Sequence, residues 1–175
     1  FVVTHEVGHS LSLCHNFISS SAYTIEQLRN PDFVAKHGTT PSIMDYTRFN
    51  YIAQPEDKMD CKLLSPNVGI YDCFAIEWGY RYYRHHANSD SLLKEWVTLQ
   101  QEQRELRFAN NSGIDPEVQS EDLSNDLLAA NALGIENLKY IKSNETLWRS
   151  GEWANRQIWM NRQSWMEIQH NNFLT

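Results

Sequence analysis

The tightest constraint on this chain lies in its first fifteen residues, where histidines stand at positions 5, 9 and 15 of the run HEVGHSLSLCH. Phe1 to Leu11 contain no proline, and Val2, Val3, Val7 and Leu11 are set among the histidines as on a half-buried helix. Helical positions four apart share a face, so His5 and His9 bring two imidazoles side by side, where they can share one ion. His15 follows six residues after His9, off that face. For it to join the pair, the helix must stop soon after His9 and the chain must swing back. Glu6 is too near in sequence to ligate in the same geometry, but it can reach a water on such a metal and take its proton. Zinc suits this arrangement. With three protein ligands it keeps one open position, where bound water has a pKa of about 7.

The chain has 175 residues, 41% apolar and 12% aromatic, enough for one domain with a core but not comfortably for two. Fifteen Lys and Arg against 22 Asp and Glu leave a net charge of −7, so no basic stripe is available for a phosphate backbone and nucleic acid is not an expected partner. No run of about 18 apolar residues exists to form a transmembrane segment. The chain opens at Phe1-Val2-Val3 without a start methionine and meets its first histidine at position 5, which reads as a piece of a longer precursor. Cys14, Cys61 and Cys73 are odd in number and far apart, so they define no disulfide framework and are expected to be small buried side chains. Cys14 adjoins His15, but neighbours on a short turn rarely face one ion, and the histidines already fill the coordination count.

Local signals outline the rest. Ser12 to Tyr23 reads as a loop. Thr24 and Gln27 form a capping box for a short helix that Asn30-Pro31 is expected to close. Residues 31–70 hold four of the five prolines and are expected to be mostly irregular. The spacing predicts a helix over 70–78 ended by Gly79 as a left-handed cap. Another follows over 90–108, carried by Leu92, Leu93, Trp96, Leu99 and Leu106. Asp115-Pro116 reads as a cap with a first-turn proline, and a helix from about Asn125 to Ile141 comes after it. A last helix over 146–171 holds Trp148, Trp153, Trp159 and Trp165, spread around its circumference, which asks for burial in the core or against missing parts of the parent chain. Nothing alternates over six residues, so little β-structure is expected. The fold class is therefore mainly α. The expected organisation is a single domain fragment over 1–175, with 1–50 carrying the metal helix and 51–175 a mostly helical C-terminal subdomain.

Extended to H-E-x-x-H-x-x-x-x-x-H, the first run resembles the metzincins, zinc metallopeptidases whose pattern has glycine where this chain has Ser12. Glycine reaches a left-handed conformation freely, whereas serine there is strained by about 1 kcal/mol or needs a different turn. Ser42-Ile43-Met44-Asp45-Tyr46 resembles the metzincin Met-turn, which implies that Met44 is a packing floor and not a ligand. Tyr46 matches the place where astacin-like and serralysin-like members have a tyrosine; the resemblance implies that it either binds the zinc or donates to the developing oxyanion. HEVGHSLSLCHNF, SIMDYTRFNYIAQPED and GIYDCFAIEWGY together resemble the bacterial met-zincin group of large zinc-dependent metallopeptidases, over roughly the first 80 residues. The stretch DPEVQSEDLSNDLLAANALGIENLKYI follows that group more loosely.

This resemblance implies the C-terminal part of a catalytic domain, with Zn2+ on His5, His9 and His15 and Glu6 as general base. It further implies a protein or peptide substrate, a secreted or cell-envelope location, and a preceding β-sheet of which nothing is present here. Two other readings stand beside it. One is a non-catalytic zinc-stabilised binding module. The other takes Glu26, seventeen residues after His9, as third ligand in the thermolysin manner, which leaves the Met-turn without a purpose. His37, His85, His86 and His170 lack ligand spacing and read as solvated. Asp45 reads as orienting a ligand or capping the Met-turn, and Asp72 and Glu77 as members of surface or structural pairs.

Overall fold

A computed structural model of the chain describes residues 1–47, 49–83, 89–100, 102–110 and 115–144. Among them the regular structure is helical: α1 (Val2–Ser10), α2 (Ile25–Leu28), α3 (Pro31–His37), α4 (Ile70–Tyr80), α5 (Ser89–Gln100) and α6 (Leu127–Ser143), joined by short 3-10 turns and by irregular chain, with no strand. Phe1–Leu133 forms one compact unit and Gly134–Thr175 a second. Of the second, the end of α6 is described, where Lys139 and Glu136 pair at 2.7 Å. Within the described residues no helix is long and apolar enough to cross a membrane.

Capping chemistry accounts for most helix ends. Thr24 Oγ1 accepts the Gln27 N–H at 3.3 Å and Gln27 Oε1 accepts the Thr24 N–H at 2.9 Å, the reciprocal box that opens α2. Asn30-Pro31 does more than end α2. Asn30 Oδ1 accepts the N–H groups of Asp32 and Phe33 at 2.9 and 3.2 Å, and Pro31 sits in the first turn of α3, where no amide hydrogen is needed. The expectation of irregular chain from residue 31 is thus corrected as far as His37, after which Gly38 turns the chain at φ 76°. Gly79 does not stop α4. The helix continues through Tyr80, the Arg81 N–H closes its last turn on the Glu77 carbonyl at 2.9 Å, and the chain leaves in extended form at Arg81 without a left-handed residue.

Further along, α5 ends at Gln100, short of the expected 108, and a separate 3-10 turn at Arg104–Leu106 buries Leu106. Trp96 of α5 packs edge-on against Phe74 of α4 at 5.3 Å, with the Arg81 guanidinium 5.0 Å over its ring. Asp115-Pro116 opens a turn and no helix; α6 is instead capped by Asp126, whose Oδ1 accepts the Ala129 N–H at 3.0 Å. The expected helix over 146–171 with its four tryptophans lies outside the described residues, as do His85, His86 and His170. Contrary to expectation, all three cysteines are exposed, and all are free.

The described residues between 38 and 69 contain no α-helix yet supply much of the core. Met44 and Ile52 have no accessible surface and join Leu28, Val118 and Leu123 in the interior. Irregular chain can be buried only if its polar groups find partners. Asn50 provides them by donating to the Leu28 carbonyl at 2.7 Å and accepting from the Ile52 N–H at 3.2 Å, and Gln54 by donating to the carbonyls of Ile52 and Leu133.

Candidate metal centre

Helix α1 is ended by a Schellman turn in which Ser12 takes the left-handed position at φ 66°. The Leu13 N–H reaches back to the Gly8 carbonyl at 3.0 Å and the Ser12 N–H to the His9 carbonyl at 2.9 Å. This turn has a chemical consequence. It presents the Leu13 carbonyl to His9, whose Nδ1 donates to it at 2.9 Å. His5 is held in the same manner from further off, its Nδ1 donating to the Ile43 carbonyl at 2.8 Å. With the ring proton on Nδ1 in both, each histidine offers its Nε2 lone pair to the same space.

The chain then carries His15 back to that space. Ligand atoms of His5, His9 and His15 all lie within 4.8 Å of one another, the one such histidine, cysteine or carboxylate cluster among the described residues. Nε2 of His9 and His15 are 3.1 Å apart, close to the edge of about 3.3 Å expected of a tetrahedron with Zn–N bonds of about 2.0–2.1 Å. His5 Nε2 is buried with no hydrogen-bond partner, an orphaned acceptor that a metal would satisfy. Burial first, and then the neighbouring His9 and His5, hold the His15 pKa below the usual imidazole range, while the charge of nearby Glu6 pulls it upward. Neutral imidazoles are the form that ligates. The residues present therefore fit a metal ion, and Glu26 and Cys14 stand outside the cluster.

The turn at residues 42–46 organises the centre. The Ile43 carbonyl orients His5, and the next carbonyl, of Met44, accepts the Asn16 N–H at 3.2 Å, fixing the residue after His15. Asn16 is pinned a second time. Its Nδ2 donates to the Arg107 carbonyl at 3.0 Å, and its Oδ1 accepts the Ala109 N–H at 3.0 Å. Met44 itself packs beneath α1, where a Cβ placed on Gly8 would come within 2.3 Å of its sulfur. Gly8 is thus small because Met44 is there. Tyr46 is partly exposed and packs its ring against His5 at 5.3 Å and His15 at 4.6 Å, beside Phe17.

Asp72 in the first turn of α4 braces the whole turn, the structural of the two roles expected for it. It is buried, its Oδ1 accepts from Ser42 Oγ at 2.6 Å, and its Oδ2 accepts the N–H groups of Ile43 at 2.7 Å and Gly69 at 2.8 Å. Three donors offset part of the desolvation that otherwise raises its pKa. Gly69 is required at this junction, since a Cβ there would meet the Pro41 carbonyl oxygen at 1.9 Å. Neither Asp72 nor Asn16 was picked out as a site residue in the sequence. The one available signal for Asp72 was its position three residues after Gly69, where a first-turn carboxylate can cap.

A short helix ending in a left-handed turn, three converging imidazoles and a buried methionine beneath them make up a candidate metal centre. The chain belongs to the Met-zincin family, whose profile matches residues 1–174. No curated protein and no solved structure matches it.

Proposed function

We propose that the protein is a zinc-dependent endopeptidase acting on protein or peptide substrates, with His5, His9 and His15 as the metal ligands. The observation that carries this reading is the paired use of backbone carbonyls on His5 and His9 Nδ1, which turns two Nε2 lone pairs toward His15 beside the Glu6 carboxylate. Zinc in that position would supply Lewis acidity, polarising a substrate carbonyl and making water acidic enough to ionise near neutral pH. Glu6 accepts the proton of the attacking water and delivers it to the leaving amine. Tyr46, on the rim of the cluster, donates to the oxyanion that develops on the carbonyl. Met44 takes no chemical part and keeps α1 and the returning loop at a fixed separation. A secreted or cell-envelope location is part of the proposal and rests on the family resemblance.

The test is cleavage of a peptide library by the zinc-loaded, full-length protein and by its Glu6→Gln variant. Glu6→Gln is expected to lower kcat by about 10²–10⁴-fold with zinc content unchanged, and Tyr46→Phe to lower kcat more than it raises KM. Intact cleavage in Glu6→Gln rejects the mechanism. Metal retained without cleavage by the parent protein favours the non-catalytic binding module.

A further inference from the structure

The three imidazoles of the cluster are not held alike. Nδ1 of His5 and Nδ1 of His9 each donate to a backbone carbonyl, at 2.8 and 2.9 Å, and these bonds fix how the two rings are turned. His15 lacks such an anchor. Among the described residues its ring nitrogens meet only His9, at the 3.1 Å approach of the two Nε2 atoms, a contact that a shared metal ion would replace. Besides the other two imidazoles, what surrounds the His15 ring is aromatic. Its centroid lies 5.2 Å from that of Phe17 and 4.6 Å from that of Tyr46, and Phe17 and Tyr46 are themselves 5.5 Å apart, so the three rings close a triangle. All three separations fall in the range of attractive ring pairs.

Local chain geometry puts Phe17 in this place. Asn16 turns its side chain into the interior, toward the Arg107 carbonyl and the Ala109 N–H, and leaves its two neighbours on the opposite side, in the manner of alternate residues along extended chain. The His15 and Phe17 rings thus come together, tilted by 30°. The backbone that carries Phe17 is held before and after it. The Asn16 N–H donates to the Met44 carbonyl at 3.2 Å, and the Ser20 N–H donates to the buried Asp45 carboxylate at 2.8 Å. A ring mounted on chain held in this way can serve as a fixed buttress.

We propose that Phe17 is a positioning residue for the third metal ligand, keeping the otherwise unanchored His15 imidazole turned toward His5 and His9. The inference rests on the reading of the three histidines as metal ligands. Phe17 offers the ion no donor atom, so its influence passes entirely through His15. A ring already held in its binding orientation loses less rotational freedom when the ion arrives, and the effect of Phe17 therefore falls on metal affinity and on the geometry around the bound ion.

The experiment compares the whole chain with Phe17→Leu, which removes the ring and keeps apolar bulk, and with Phe17→Tyr, which keeps the ring. Zinc affinity is measured by chelator competition, and the absorption spectrum of the cobalt(II)-loaded protein reports the geometry of the site. Phe17→Leu is expected to bind zinc about tenfold or more weakly and to show an altered cobalt spectrum, and Phe17→Tyr to restore both. Zinc affinity and a cobalt spectrum unchanged in Phe17→Leu overturn the proposal, even where the Tm of the metal-free protein falls, since that pattern belongs to a purely structural side chain. A Phe17→Tyr variant as impaired as Phe17→Leu overturns it as well. If the unaltered protein takes up neither zinc nor cobalt, the metal-binding reading itself falls and this inference with it, a result seen before any variant is made.

Discussion

The Ile43 N–H donates to the Asp72 carboxylate at 2.7 Å, while the Ile43 carbonyl accepts from His5 at 2.8 Å, so one residue links a helix-capping acid to an imidazole of the histidine cluster. Asp72→Ala leaves Ser42 Oγ and the N–H groups of Ile43 and Gly69 without their acceptor. At about 1–3 kcal/mol for each buried unpaired group, a loss of at least about 3 kcal/mol is expected in urea unfolding. Zinc affinity, measured by chelator competition, is expected to fall by about 10–100-fold. A stability loss with unchanged zinc affinity would show that Asp72 supports the scaffold without orienting His5.

Gly8→Ala places a methyl group against the sulfur of a methionine that has no accessible surface to retreat into. A cost of about 1–3 kcal/mol is expected from overpacking. The double variant Gly8→Ala/Met44→Ala is expected to lose less than the sum of the two single losses, which a double-mutant cycle reads directly. Strict additivity would mean that the two residues do not press on one another.

Ser12→Gly is expected to stabilise the protein, because serine at φ 66° carries strain of about 1 kcal/mol that glycine does not. Thermal unfolding of the two proteins side by side checks this. A lower Tm for the glycine variant would reveal a stabilising contact from the serine side chain.

Acid sensitivity should come in part from Asp57. The hydrogen bond from Arg29 is the main influence holding its pKa below the ordinary aspartate value, with Arg29 Nε at 2.8 Å. A carboxylate that ionises more readily folded than unfolded adds stability that is complete above its unfolded pKa and is lost as pH falls through the depressed folded one. The pair is partly solvated and is worth about 1 kcal/mol or less at neutral pH. Urea melts of the unaltered protein and Asp57→Asn should therefore differ at neutral pH and converge in strong acid. A difference that grows toward low pH would contradict the assignment.

What could be read from the sequence was what local chemistry decides. The i, i+4 histidines on α1, the box at Thr24 and Gln27 and the strain at Ser12 each involve residues within a turn or two of one another. Pro31 was half legible, because the same dipeptide that ends one helix can begin the next, and only the hydrogen bonds of Asn30 choose between them. Gly79 misleads for a related reason: a glycine near a helix end resembles a cap, but the helix runs on to Tyr80 and the Arg81 N–H closes its last turn on the Glu77 carbonyl. The partners that aim the imidazoles were illegible. Ile43 and Asp72 act through contacts between residues tens of positions apart, and no periodicity announces them.

Asn16 gives the metal centre a timetable. Its side chain is secured by Arg107 and Ala109, 91 and 93 residues further along, as His5 is by a carbonyl 38 residues on. The three histidines are therefore made before Ile43 and before the Arg107–Ala109 segment, whose groups hold His5 and Asn16. Contacts of such sequence separation form late in folding. On the proposed metal-binding reading, full affinity of the three imidazoles is expected only once residues near 109 have docked against Asn16.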